Sequence, residues 1–202
     1  MSLKPVDEAI AAILARVPPV AAESVPLAQA AGRVLAAPVV AGHDQPPFDA
    51  SAMDGYAIRA EDVADGAALR VTGVSQAGAG FRGELGAGEA VRIFTGAPLP
   101  PGADTVIMQE QAVIEGDQVR FTGPIRLGHS VRVRGNDFAT GDQLLAPGTL
   151  LGPLQMTVAA AANAGTLSVA RRPSIALLAT GDELVPPGSP LAPDQIVASN
   201  TA

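Results

Sequence analysis

Cysteine is absent from the 202 residues. That excludes disulfides, thiolate metal sites and a cysteine nucleophile, and it fits a cytoplasmic location. Aromatic residues make up only 3% of the chain, so a core must be built from valine, leucine, isoleucine and alanine. The two histidines, His43 and His129, stand far apart and are read as structural or exposed; they leave no histidine pair for a metal and no Ser–His–Asp arrangement. There is no P-loop. Basic residues are outnumbered by acidic ones, 13 to 20, for a net charge of −7. Nucleic-acid binding wants clustered excess lysine and arginine, so no such partner is expected. No apolar run reaches the ~18 residues that a membrane span needs. The longest candidate, around Met156 to Ala164, is Ala-rich and short, and the N-terminus MSLKPVDEAI lacks the apolar region of a signal peptide.

What is present is punctuation. Glycine (22) and proline (18) make many turns between short elements. The first segment reads as a helix: Pro5 suits the first turn, Asp7 and Glu8 match the helix dipole, and Val6, Ile10, Ile13, Leu14 and Val17 form one apolar stripe. Pro18 and Pro19 end it. A short second helix is predicted over Leu27 to Ala31 with Gly32 as its cap, then an extended stretch from Val34 to Val40. From about residue 45 short β-like runs alternate with glycine turns: Gly55–Arg59, Leu69–Val74, Ala90–Phe94, Thr105–Gln109, Gln111–Glu115 and Gln118–Phe121, with Gly116-Asp117 as a hairpin signal. This spacing predicts a compact, barrel-like β domain. Strands around Asp142–Leu145 and Thr149–Leu151, a helix over Pro153–Ala164 closed by Gly165, and a strand at Thr166–Ala170 follow. This segment is expected to pack back onto the first helix, which makes the β domain an insertion. Ser174–Thr180 is a continuous apolar run, the mark of a parallel strand buried on both faces, with a helix expected after it. One strand cannot form a sheet. The chain is therefore expected to be the front part of a larger protein.

The fold class is thus mixed α/β and multidomain. A discontinuous helix-plus-β linker domain (1–44 and 138–172) carries an inserted β-barrel-like domain (45–137), and the first strand of an incomplete α/β domain follows (173–202).

Four motifs can carry chemistry. In the first, residues 46–58, Asp54-Gly55 can present a carboxylate at a strand start, or be a solvated turn. In the second, residues 92–104, Thr95-Gly96 opens a proline-stiffened loop able to offer a hydroxyl and backbone N–H groups, or simply connects two strands. In the third, residues 131–137, alternation places Arg132 and Arg134 on one strand face, where two guanidiniums can hold an oxyanion, or merely face solvent. Asp137 beyond Gly135 can bind a metal or pair with an arginine. In the fourth, Thr180-Gly181-Asp182-Glu183 puts two carboxylates at a strand's C-terminal end, suited to Mg²⁺ or to capping a helix.

Together and in order, PPFDASAMDGYAI, RIFTGAPLPPGADTVIMQE, VRVRGNDF and ATGDEL, with the trailing QIVASN, resemble the molybdopterin molybdenumtransferases, the MoeA family that includes the E domain of gephyrin. The resemblance runs from the N-terminal helix to Asn200. It implies an elongated homodimer, with 1–44 and 138–172 as the dimerising linker and 173–202 as the start of a pterin-binding domain. It implies insertion of molybdenum from molybdate into adenylylated molybdopterin with release of AMP, aided by Mg²⁺, and a molybdopterin adenylyltransferase as pathway partner. Carried over residue by residue, it assigns catalytic roles to Asp54, Thr95 and Asp137. Substrate binding falls to Arg132, Arg134, Asp182, Ser199 and Asn200, and metal binding to Asp182 and Glu183. Asn136 departs from the pattern, standing where many relatives have an acid. The alternatives are a non-catalytic gephyrin-like scaffold or a related adenylyltransferase. The chain by itself is expected to be inactive.

Overall fold

Pro5, at φ −55° and ψ 146°, opens helix α1 (Val6–Leu14), with Asp7 and Glu8 in its first turn. The computed structural model describes residues 4–18, 20–63 and 66–201, so the role given to Pro19 lies outside the described residues. After α1 come β1 (Ala22–Pro26), β2 (Val39–Val40), β3 (Ala50–Ser51), β4 (Gly55–Ile58), β5 (Leu69–Ser75), β6 (Glu89–Ile93) and β7 (Thr105–Met108). The chain continues through β8 (Ala112–Glu115), β9 (Gln118–Phe121), β10 (Val131–Arg132), β11 (Gln143–Leu145), helix α2 (Pro153–Ala161), β12 (Thr166–Ala170), β13 (Leu184–Val185) and β14 (Ile196–Val197). The architecture is mixed α/β, with far more strand than helix.

Early and late segments close on each other. β1 pairs antiparallel with β12, β2 with β11, and bridges join Val34 to Leu150 and Leu35 to Val169. Behind them Ala30, Leu35, Val39, Leu151, Ala159, Ala162, Leu167 and Val169 form one aliphatic core. Arg33, only 8% exposed, pins its edge: its guanidinium pairs with Glu23 and donates to the Ala170 carbonyl at 2.7 Å. Between these segments lies a six-stranded curled sheet in the order β7-β4-β6-β5-β9-β8. Only its β5–β6 pair is parallel. One face packs Tyr56, Ile58, Leu69, Ala90, Ile107 and Val119. The other packs Ala57, Leu85, Val91, Ile93 and Val106. On β4, β6 and β7 the two sets alternate along the same strand, as the pleat requires. The Gly116-Asp117 hairpin forms as read: Glu115 faces Gln118, and Gly116 takes φ +66°.

Several expectations need correction. Residues 138–172 pair with β1 and β2 and pack on the turn after β1, while the apolar stripe of α1 stays largely open, its last member Val17 lining a hollow with Arg171 and Arg172. Val6, Ile13 and Leu14 remain 62–73% exposed, and no residue of α1 is buried. The second helix is a 3₁₀ turn, Leu27–Gln29. Thr149–Leu151 makes a bridge rather than a strand. α2 stops at Ala161, and the left-handed residue after it is Asn163 (φ +59°), not Gly165. The run Ser174–Thr180 forms no strand: Ile175, Leu177 and Leu178 are 68–89% exposed. A parallel strand is held only by neighbours on either side, and no described strand lies beside this one. The helix expected after Glu183 is replaced by the short parallel pair β13–β14.

Candidate active site

The first motif becomes the middle rail of a three-rail ribbon. On one side it meets the second motif. Leu99 N–H donates to Asp49 O (2.8 Å), Ser51 N–H to Ala97 O (3.0 Å), and Gly96 N–H to Ser51 O (2.8 Å). On the other side it meets the third. Ala52 N–H donates to Ser130 O (2.9 Å), β3 pairs with β10, Gly135 N–H donates to Pro46 O (2.9 Å), and Asp137 N–H to Gln45 O (2.8 Å). The Gln45–Pro46 peptide is cis. Ser51, 1% exposed, braces the turn from within, its hydroxyl donating to Met53 O at 2.6 Å.

Asp54 and Thr95 meet across 41 residues. The Thr95 N–H (2.8 Å) and hydroxyl (2.7 Å) both donate to Asp54 Oδ1. The backbone N–H first and the hydroxyl second hold the Asp54 carboxyl below its usual range, and the charge of Arg92 adds to this. Gly96 takes φ +79°, which lets the loop turn away immediately after the clamp. Arg132 Nη2 lies 2.7 Å from both oxygens of Asp137. These bonds, with a weaker one from Asn136, lower the Asp137 pKa. Both partners are 42–46% exposed, so the pair orients more than it stabilises. Thr95, Gly96 and Arg132 line one cleft of about 340 Å³ with Gln45, Phe48 and Ser51.

The two arginines of the third motif do not share a ligand-ready face. Their strand is only two residues long, and Arg134 turns to Asp44, its Nε donating to Oδ2 at 2.5 Å. Asp44 also accepts from the Thr140 N–H (2.7 Å) and hydroxyl (2.8 Å), a second Asp–Thr clamp. Thr140's N–H, then its hydroxyl, then Arg134 lower the Asp44 pKa from 3.8 to about 2. A depressed carboxyl contributes stability that is full above its unfolded pKa and fades as pH falls toward the folded one. The Asp44–Thr140 clamp should thus stay closed at pH 4 and open as pH falls through about 2. Following the Thr140 amide resonance against pH checks this, and Asp44→Asn should remove the transition.

The fourth motif stands apart. Asp182, Glu183, Ser199 and Asn200 are all exposed. Ile196 N–H donates to Glu183 O (2.8 Å) and Leu184 N–H to Gly181 O (3.1 Å), so this segment bonds within itself. Thr180, Glu183 and Asn200 line a separate hollow of about 460 Å³. Among the described residues no cluster of three or more His, Asp or Glu could hold a metal ion. His43 sets its ring edge to Phe138 at 5.8 Å, and His129 is exposed.

Reading the sequence misses Arg92, Asp44, Thr140 and Gln109. The one available signal is Arg92 itself, a charge inside the apolar run Ala90–Phe94. Asp44 and Thr140, 96 residues apart, carry none.

A family model described as the MoeA N-terminal region, domain I and II, matches residues 4–163. The chain belongs to the MoeA family. Among curated relatives, the molybdopterin molybdenumtransferase of Nostoc sp. is 42% identical over 183 residues, spanning 88% of this chain and 42% of the relative. That of Haemophilus influenzae is 37% identical over 174 residues, spanning 85% and 43%. The chain thus spans less than half the length of these relatives. A crystal structure of the molybdopterin biosynthesis MoeA protein from Pyrococcus horikoshii OT3 superposes with a TM-score of 0.91 at 34% identity, covering 98% of this chain and 55% of that one. This MoeA chain therefore shares its described fold with about half of that structure.

Proposed function

We propose that this chain supplies one wall of a molybdopterin molybdenumtransferase site, in which molybdenum from molybdate enters adenylylated molybdopterin and AMP is released. The observation that carries the reading is the ribbon. Three motifs, spread over residues 46–137, are hydrogen-bonded into one surface that presents Thr95 and Arg132 to one cleft, with Asp54 clamped to Thr95 and Asp137 to Arg132. Arg132 can orient an oxyanion or a substrate phosphate by charge-assisted hydrogen bonds. Asp54 Oδ2 takes no bond from the described residues and is free to accept from a pterin N–H or a water. Arg134, whose Nε is committed to Asp44, holds the ribbon's edge and keeps its Nη donors to offer to substrate.

Asp182 and Glu183 fit Mg²⁺ as a two-carboxylate set completed by waters and substrate phosphate oxygens, the usual way this ion is held. Bound there, Mg²⁺ would reduce the charge on the phosphoanhydride. Ser199 and Asn200, close by in sequence to β14, would contact the pterin-bearing substrate. The exposed apolar stripe of α1 supports a homodimer, and an adenylyltransferase would supply the adenylylated pterin.

The test is Asp137→Ala in a full-length protein carrying this segment. Molybdoenzyme maturation should be lost in a host that lacks its own insertase; undiminished maturation would sink the reading. Residues 1–202 alone should give no turnover with adenylylated molybdopterin and molybdate, and should sediment as a dimer.

A further inference from the structure

Arg92 sits on β6, facing Tyr56 of β4 in register. Its guanidinium crosses the sheet end: Nη1 donates to Gly55 O at 2.7 Å and Nη2 to Gln109 Oε1 at 2.5 Å. Gln109 in turn donates its N–H to Asp54 O at 3.0 Å. The two consecutive carbonyls of Gly55 and Asp54 are therefore tied, the first directly and the second through the backbone N–H of Gln109, to a single guanidinium. That group lies 5.2 Å from the Tyr56 ring centre and 4.7 Å from that of Phe94, an aromatic cradle that fixes its plane. Phe94 directly precedes Thr95, so both partners of the Asp54–Thr95 clamp hang from residues that Arg92 touches. Arg92 does not line the cleft beside Thr95 and Arg132.

We propose that Arg92 is the positioning residue of the site. Its planar fork, packed against Tyr56 and Phe94, sets the Asp54-Gly55 junction so that the Asp54 carboxylate meets Thr95. This rests on the proposed function for its meaning, but not for its test. The geometry requires the fork and not only a positive charge. Lysine can supply the charge but cannot serve two acceptors in one plane while stacked on a ring.

The experiment is NMR on this 20.2 kDa chain, comparing wild type, Arg92→Gln and Arg92→Lys. In Arg92→Gln the Asp54 carboxyl should titrate at higher pH than in wild type. The Thr95 amide should exchange about fivefold faster, the loss of one ordinary hydrogen bond. Asp44 and Thr140 should be unchanged, as a second clamp that Arg92 does not touch. Arg92→Lys should leave Thr95 exchange fast. Unchanged Asp54 and Thr95 signals in Arg92→Gln, or wild-type exchange in Arg92→Lys, would overturn the proposal. If Arg92→Gln fails to fold, Gln109→Ala removes one tie without touching the charge; it should still speed Thr95 exchange, and no change there would equally overturn it. The readout sits on Asp54 and Thr95 themselves, so a negative result removes the role of Arg92 and leaves the insertase reading standing. Failure of the Asp137→Ala test would do the reverse.

Discussion

Gly55→Ala should lower the melting temperature by about 10 °C and loosen the candidate-site ribbon with it. A Cβ built on Gly55 would lie 2.0 Å from the Ile107 carbonyl oxygen and 2.8 Å from its carbon. Both are backbone atoms of β7, which pairs with β4 along four consecutive residues. Neither can swing aside as a side chain would, so β4 and β7 must part. Overpacking of a rigid site costs about 1–3 kcal/mol or more, and at this chain length each kcal/mol moves the midpoint by about 2–4 °C. The change should also reach the site, because Gly55 follows Asp54 and its carbonyl is an anchor for Arg92. Thermal unfolding read beside the Thr95 amide signal checks both. A glycine replaced without loss of stability would mean that the strands are not pressed together here.

Asp54→Ala in a full-length protein should reduce molybdenum insertion by about a hundredfold or more, the scale seen when one preorganised electrostatic group is removed from a site. Asp54 is exposed, so the fold should survive the change. Thr95→Val should cost much less. The largest influence on the Asp54 carboxyl is the Thr95 backbone N–H, which valine keeps; only the hydroxyl bond is lost. The order Asp54→Ala far below Thr95→Val, measured as insertion rate with folding checked in parallel, tests whether the threonine acts mainly by shaping the loop. Equal losses would instead place the hydroxyl on the substrate.

Local pattern carried far where structure is local. β4 to β9 fall within a residue or two of where alternation and glycine turns put them, because a half-buried strand writes its own period and a hairpin writes its own turn. The pairing of early with late segments was legible too, though not its strands: β1 and β2 carry it, pairing with β12 and β11. The amphipathic stripe of α1 shows that some apolar surface is destined for burial without showing against what. The same limit applies to Ser174–Thr180, whose composition suits a buried strand but whose neighbours are absent among the described residues.

The sequence by itself determined the aliphatic core, the β-rich middle and the family resemblance, since these rest on composition, period and contiguous motifs, and through that resemblance it singled out Asp54, Thr95, Arg132 and Asp137 as candidates. Only the tertiary structure decided how those residues meet. It joined Asp54 to Thr95 across 41 residues, turned Arg134 from Arg132 toward Asp44, and set Arg92 behind the site. Such contacts depend on which strands lie side by side, and that is settled by burying both faces of a sheet at once, a global condition that no single segment records.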